Sequence, residues 1–140
     1  MRAVIQKSKA FGHIIASPSK SYAHRLLISA ALSYGKCKIS NVSFSNDILA
    51  TINCLKTLGR KITIKEDSVL IENNPNIQLE DTLMFDCIES GSTLRFFIPI
   101  ALTTGKKAIF RGSKKLLERG ILPYEKICEE QNIITEFYAL

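Results

Sequence analysis

Two stretches of this chain, about seventy residues apart, repeat the same order of residue types, and a duplication constrains the fold more than any single motif can. Ser19-Lys20-Ser21 corresponds to Gly91-Ser92-Thr93, Arg25 to Arg95 and Gly35 to Gly105. In each copy small or hydroxyl-bearing residues open an apolar helical run, an arginine stands in its first turns, and a glycine closes it. Read outward from these anchors, the repeating unit is β-α-β-α-β-β, with one copy at roughly 13–72 and the second at 83–140, its closing strand absent.

In the first copy, Ala3 to Gln6 and His13 to Ala16 read as short extended segments around Gly12. A helix is predicted from Ser19 to about Tyr34, stopped at Gly35. Its interior, Leu26, Leu27, Ile28, Ala30, Ala31 and Leu32, covers nearly every face, so it belongs inside its domain. Cys37 to Val42 reads as a strand with Cys37, Ile39 and Asn41 on one face. Ser45 caps a second helix, amphipathic, with the stripe Ile48, Ile52, Leu55 and Leu58 ending at Gly59. Arg60 to Glu66 alternates, with Ile62 and Ile64 inward and Lys61, Thr63 and Lys65 outward, and turns at Glu66-Asp67 into Ser68 to Glu72 as a hairpin.

Asn73 to Asp81, with Pro75, is a polar connection. The second copy predicts a strand at Leu83 to Asp86, a helix from Gly91 to near Gly105 that Pro99 kinks, and a strand at Lys107 to Phe110. A polar stretch leads to a helix at about Leu122 to Gln131, and Ile133 to Tyr138 reads as extended. Apolar helices in matching positions and one-sided strands imply an α/β (α+β) fold with helices inside and sheets outside, the reverse of a doubly wound sheet.

A chain of 140 residues with 46% hydrophobic content can bury one core and is not disordered. Its net charge of +6, from 19 Lys and Arg against 13 Asp and Glu, favours an anionic partner without naming it. Cys37, Cys54, Cys87 and Cys128 form no CxxC pair, so free, mostly buried thiols are expected and neither a metal site nor a redox dithiol is indicated. The longest apolar stretch, Leu94 to Leu102, is too short to span a bilayer, and no basic-then-apolar leader precedes the fold. A cytoplasmic location is the expectation.

The helix starts carry the chemistry. Ser19 is a natural N-cap, and free first-turn amides at the positive end of a helix dipole hold phosphates and carboxylates. Lys20 adds a point charge, and Arg25 lies at i, i+4 from Ser21. Gly91 lets a ligand approach the backbone closely in the second copy. Each stretch alone reads first as an ordinary capped helix with solvated charges; two such starts, converging, would make a polyanion site. His24 is expected to pack or hydrogen-bond rather than catalyse, and His13 to lie on a strand or turn.

Ser19-Lys20-Ser21 with Arg25, Ser45-Asn46-Asp47 heading the next helix, Glu89-Ser90-Gly91-Ser92-Thr93-Leu94-Arg95, and Leu117-Glu118-Arg119 stand in a recognisable order. Together they resemble the N-terminal portion of the 5-enolpyruvylshikimate-3-phosphate synthase family. The resemblance covers nearly the whole chain. It implies an inside-out α/β barrel-like domain, incomplete here, within a two-domain protein whose domains each hold three such units. It also implies transfer of the enolpyruvyl group of phosphoenolpyruvate to the 5-hydroxyl of shikimate 3-phosphate, with release of phosphate, in aromatic amino-acid biosynthesis. No metal or organic cofactor is implied. By matching positions, Lys20, Ser21 and Arg25 would bind shikimate 3-phosphate, and Lys20, Gly91 and Arg119 phosphoenolpyruvate. Arg95, Asp47 and Ser92 are second-rank candidates.

The pattern departs from the family's commoner form in three places. Pro18 stands where a glycine often precedes Ser-Lys-Ser, Glu89 replaces a frequent asparagine, and Gly120 replaces a proline after Arg119. Glu89, beside a phosphate site, is expected to turn away toward Arg95, and the pattern does not fix the orientation of Arg119. The family's acid and base groups come from later in its chain and largely from the second domain, so no catalytic residue is assigned among these 140 residues, which alone are expected to be inactive. Two rivals share some features. Enolpyruvyl transfer to a nucleotide sugar lacks Ser-Lys-Ser at the first helix start. A nucleic-acid-binding module would use the basic charge, yet Tyr22, Phe96 and Phe97 lie in or beside apolar helices rather than on a basic platform.

Overall fold

The computed structural model describes residues 3–4, 6–73 and 77–136. In chain order the elements are α1 (Lys20–Leu32), β1 (Lys36–Ile39), α2 (Asn46–Thr57), β2 (Lys61–Lys65), β3 (Ser68–Glu72), β4 (Thr82–Asp86), α3 (Gly91–Leu102), β5 (Lys107–Arg111), α4 (Lys114–Leu117) and α5 (Leu122–Glu130). Strands β1, β3 and β2 form an antiparallel sheet in that order, and β4 pairs with β5 in parallel, joined by α3 as the crossover helix.

One continuous core runs through both copies of the unit, and α2 lies at its centre. The predicted stripe Ile48, Ile52, Leu55 and Leu58 is buried, but so are Ala50, Thr51 and Cys54 on neighbouring faces. These small side chains let α1, β4 and α3 approach α2 from several directions. The prediction for α1 is corrected in the opposite sense. Ala23, Leu27, Ala30 and Ala31 are buried, whereas Tyr22, Leu26 and Leu32 are exposed, so α1 packs on one side only. It also ends at Leu32, two residues early, with Gly35 at φ +84 carrying the chain into β1.

The hairpin turns at Glu66-Asp67 as expected, with Ile64 opposite Val69 and Lys65 opposite Ser68. Ile39, Val69 and Ile71 face the core, and Lys36, Lys61 and Lys65 face out. Ile64 shares the inward row but stands near the end of edge strand β2, where it is 42% exposed. Asn41 lies beyond β1 at φ 58 and is exposed, not on its inner face. On the outer face Glu72 sits between Lys36 and Lys61, which hold its carboxyl down at about 2.

Phe85 of β4 anchors the second copy, 5.6 Å from the Phe97 ring and stacked on Phe110 at 5.0 Å. Helix α3 runs on through Pro99. Because Pro99 has no N–H, the carbonyl of Arg95, four residues earlier, loses its helical partner. The Tyr124 hydroxyl of α5 donates to that carbonyl at 2.9 Å, which satisfies it and ties α5 to α3. The single turn α4 falls in the polar stretch between β5 and α5, where the sequence pattern predicts no element.

Three expected extended segments, Ala3 to Gln6, His13 to Ala16 and Ile133 to Tyr138, form no strand among the described residues. Residues 6–16 have no regular structure, and Phe11, Ile14 and Ile15 are almost fully exposed. An extended segment becomes a strand only against a partner that takes its backbone hydrogen bonds, and none of the described residues does so. Residues 133–136 likewise lie outside regular structure, while Ile5, Pro75, Phe137 and Tyr138 fall outside the described residues. Cys54, Cys87 and Cys128 are buried free thiols and Cys37 is half-buried. Hydrogen bonding to Cys87, with burial, pushes the Cys54 thiol far above the ordinary thiol range. No helix among the described residues is long and apolar enough to cross a membrane.

Candidate functional site

Helices α1 and α2 lie side by side in one register. Lys20 Nζ reaches Asp47 Oδ2 at 2.9 Å, and one turn further His24 Nδ1 meets Thr51 Oγ1 at 2.7 Å. Both links join residues 27 apart, so the two helices run in the same direction with their N-termini level. Helix α3 joins them at the same end, where Thr93 Oγ1 bonds to Thr51 Oγ1 at 2.8 Å and to the Asp47 carbonyl at 3.3 Å. The N-termini of three helices therefore meet. Their free amides and aligned dipoles favour an anion there.

The caps are built from the local sequence. Ser19 Oγ accepts the Tyr22 N–H at 3.3 Å, and Ser90 Oγ accepts the Thr93 N–H at 3.1 Å. Ser45 occupies the N-cap position of α2, but its hydroxyl makes no cap hydrogen bond and is buried without a partner among the described residues. The equivalence between the copies is thus Ser19 with Ser90 by capping, one residue off the match of Ser19 with Gly91 read from the sequence. Lys20 and Gly91 hold the first helical positions of α1 and α3.

Around Gly91 the backbone is bare and cationic. A Cβ built on Gly91 would lie 2.8 Å from Arg95 Nη1 and 3.7 Å from Arg119 Nη1. The Arg95 guanidinium donates to the Gly91 carbonyl at 3.2 Å. Arg119 arrives from α4, whose buried Leu116 packs below Gly91, so a residue three positions on lies on the same side. Gly120 follows at φ +64, a conformation closed to proline, and this left-handed step leads the chain away from Arg119 toward α5.

On the α1 side, the Arg25 guanidinium donates to both the carbonyl and the hydroxyl of Ser21 and lies 5.4 Å from the centre of the Phe96 ring. With its oxygen accepting from Arg25, Ser21 keeps its own proton free to donate. The Lys20–Asp47 pair is more than half exposed on the lysine side, so it is weak and an arriving anion can compete for the ammonium. The expected tilt of Glu89 toward Arg95 is not found as an ion pair. Glu89 is exposed, and the Arg95 guanidinium is occupied by the Gly91 carbonyl.

The structure thus draws Lys20, Asp47, Gly91, Arg95 and Arg119 to one end of the helices, with exposed Ser92 at the second position of α3. Ser21 and Arg25 stand at the same end, linked to α3 through Phe96. Sequence reasoning missed the buried polar side chains behind this surface, Thr51, Thr93 and Ser90, and gave His24 only a generic packing or bonding role. A signal was present in part: Lys20 and His24, like Asp47 and Thr51, recur at i, i+4 along otherwise apolar helices.

Comparison with known proteins separates the readings left open by this geometry. The family model for EPSP synthase (3-phosphoshikimate 1-carboxyvinyltransferase) matches residues 4–130. The chain belongs to the EPSP synthase family. It is 42% identical over 132 residues to the 3-phosphoshikimate 1-carboxyvinyltransferase of Clostridium perfringens (strain SM101 / Type A), covering 94% of this chain and 31% of that relative. Against the enzyme of the same name from Clostridioides difficile (strain 630) it is 42% identical over 138 residues, 92% of this chain and 32% of the relative. The chain therefore spans about a third of the length of these EPSP synthases. Among solved structures, EPSP synthase from Acinetobacter baumannii superposes with a TM-score of 0.68 at 19% identity, over 88% of this chain and 28% of that one. At that identity the likeness establishes the fold, an incomplete portion of the EPSP synthase architecture.

Proposed function

We propose that this chain supplies one wall of the site at which the enolpyruvyl group of phosphoenolpyruvate passes to the 5-hydroxyl of shikimate 3-phosphate with release of phosphate. The observation that carries the reading is the meeting of three helix N-termini with Lys20 on one side of Asp47 and Gly91, flanked by Arg95 and Arg119, on the other. Both substrates are phosphorylated carboxylates. Lys20, Ser21 and Arg25 would take shikimate 3-phosphate, and Lys20, Gly91 and Arg119 phosphoenolpyruvate, with Arg95, Asp47 and Ser92 beside them. Bare Gly91 admits a phosphate oxygen to the α3 amides, and the guanidiniums offset its charge through bonds worth roughly 1.5 to 3 kcal/mol each. Family membership supports the substrate class, a cytoplasmic setting and a second domain in the full-length protein.

The test is a titration followed by amide NMR at two salt concentrations. Shikimate 3-phosphate is expected to shift Ser21 and Arg25, and phosphoenolpyruvate Gly91 and Ser92, while a nucleotide sugar leaves them in place. No phosphate release is expected from the 140-residue chain alone. A chain that ignores both substrates but binds a duplex oligonucleotide in a salt-dependent way would overturn the reading in favour of a nucleic-acid module.

A further inference from the structure

Behind the Gly91 turn lies a row of four buried polar side chains that anion binding itself leaves unused. His24 Nδ1 stands 2.7 Å from Thr51 Oγ1, Thr51 Oγ1 stands 2.8 Å from Thr93 Oγ1, and Thr93 Oγ1 stands 2.7 Å from Ser90 Oγ. His24 is 3% exposed, Ser90 2%, and the two threonines are fully buried. The row crosses from α1 through α2 to α3 and ends at the residue that caps α3. In a dry interior each of these groups needs its partners, so the order of protons along the row matters.

Counting protons gives that order. Each hydroxyl carries one proton, and a carbonyl carries none. Thr93 Oγ1 faces the Asp47 carbonyl, which can only accept, and Ser90 Oγ, which already accepts the Thr93 N–H as the cap. With the one Thr93 proton shared between the Asp47 carbonyl and Ser90 Oγ, Thr51 directs its proton to Thr93, and in that arrangement the proton between His24 and Thr51 comes from Nδ1. With Nδ1 bare, Thr51 would point back at the ring and take the Thr93 proton, leaving the Asp47 carbonyl without it.

We infer that His24, as an Nδ1–H donor, is a positioning residue: through Thr51 and Thr93 it fixes Ser90 in its capping orientation, and so aims the Gly91 and Ser92 amides at the incoming phosphate. The inference rests on the reading of the Gly91 turn as a phosphate wall, but its first two measurements need no ligand. Burial, ahead of its charged neighbours, lowers the pKa of the ring; Asp47 opposes that, while Lys20 and Arg25 add to it. The neutral ring then has a single tautomer to choose.

Ring-nitrogen NMR reports that choice directly. The Nδ1–H form is expected, and an Nε2–H form overturns the inference. Amide hydrogen exchange at Thr93 then separates positioning from mere packing. His24→Asn places a side-chain N–H close to where Nδ1–H stood and is expected to keep the slow exchange; His24→Leu fills similar space without a donor and is expected to speed it about tenfold, the loss of one buried hydrogen bond. Thr51→Ser and Thr51→Val repeat the contrast should leucine at position 24 prevent folding. Equal exchange in the donor and non-donor variants overturns the inference. If the variants behave as expected, inorganic phosphate should bind about tenfold more weakly to His24→Leu than to His24→Asn. Wild-type protein that binds neither phosphate nor phosphoenolpyruvate would refute the phosphate wall while leaving the tautomer and exchange results to judge His24.

Discussion

Replacing Gly91 by alanine separates what the fold needs at this position from what a ligand needs. Gly91 is not among the glycines at positive φ, so alanine suits its helical backbone and removes some freedom from the unfolded chain, a gain of up to about 1 kcal/mol. The added methyl would lie 2.8 Å from Arg95 Nη1, about 0.7 Å inside ordinary contact. Only the tip of a flexible side chain must move, and in moving it gives up the 3.2 Å bond to the Gly91 carbonyl, worth about 0.5 to 1.5 kcal/mol. These effects cancel to within about 1 kcal/mol, so the urea midpoint should barely shift. Phosphate, however, would lose both the close approach to the backbone and the placed guanidinium. Loss of one charge-assisted contact predicts phosphoenolpyruvate binding weaker by about one to two decades. Unchanged affinity would refute the placement of phosphate at Gly91. A loss of stability above about 2 kcal/mol would mean that the methyl strikes fixed atoms and that the gain and the cost do not cancel.

Tyr124→Phe strips the partner from the Arg95 carbonyl that Pro99 leaves open, and should cost about 0.5 to 1.5 kcal/mol in urea unfolding, with faster amide exchange concentrated in α5. Stability should also fall in acid through two windows. His24 has its folded pKa lowered from the ordinary 6.5, so the unfolded chain takes the proton first and stability is lost as pH falls from 6.5 toward that lower value. Glu72, lowered from 4.5 to about 2 by Lys36 and Lys61, contributes stability present above 4.5 and lost as pH falls through about 2. Urea midpoints measured against pH should lose the first window in His24→Asn and the second when Lys36 and Lys61 are both alanine.

Most elements were legible because each has a local cause: a capping serine, an alternating strand, a glycine that ends a helix. Burial was less legible, and α1 and α2 say why. The run from Leu26 to Leu32 counts as apolar on every face, yet Leu26 and Leu32 are exposed, while α2 has the narrower stripe and the deeper position. Periodicity counts large apolar residues, but close approach on several faces depends on small ones, such as Ala50, Thr51 and Cys54. Likewise Ile14 and Ile15 have the composition of a strand, but a strand also requires a partner that lies elsewhere in the chain or fold. The polar row from His24 to Ser90 left only a partial signature, the i, i+4 spacing within α1 and α2 and the three-residue step from Ser90 to Thr93, since the links that join the helices span 27 and 42 residues.

The duplication itself was legible in kind and one residue out in register, and that single residue carries the division of labour. Arg25 folds back on the Ser21 carbonyl as Arg95 folds back on that of Gly91, so the arginines match at four residues' spacing. The caps match instead at Ser19 and Ser90. Relative to its cap, Arg25 is therefore one position further along its helix than Arg95, which turns it by about 100° around the axis. Arg95 consequently stays beside the bare glycine and Arg119, while Arg25 swings over the Phe96 ring of the neighbouring helix. The same shift sets Lys20 and Gly91 at equivalent first positions, a cation on one helix and open backbone on the other. Two identical helix starts would offer an anion the same contact twice; these offer a charge and a row of amides, two different contacts for one anion.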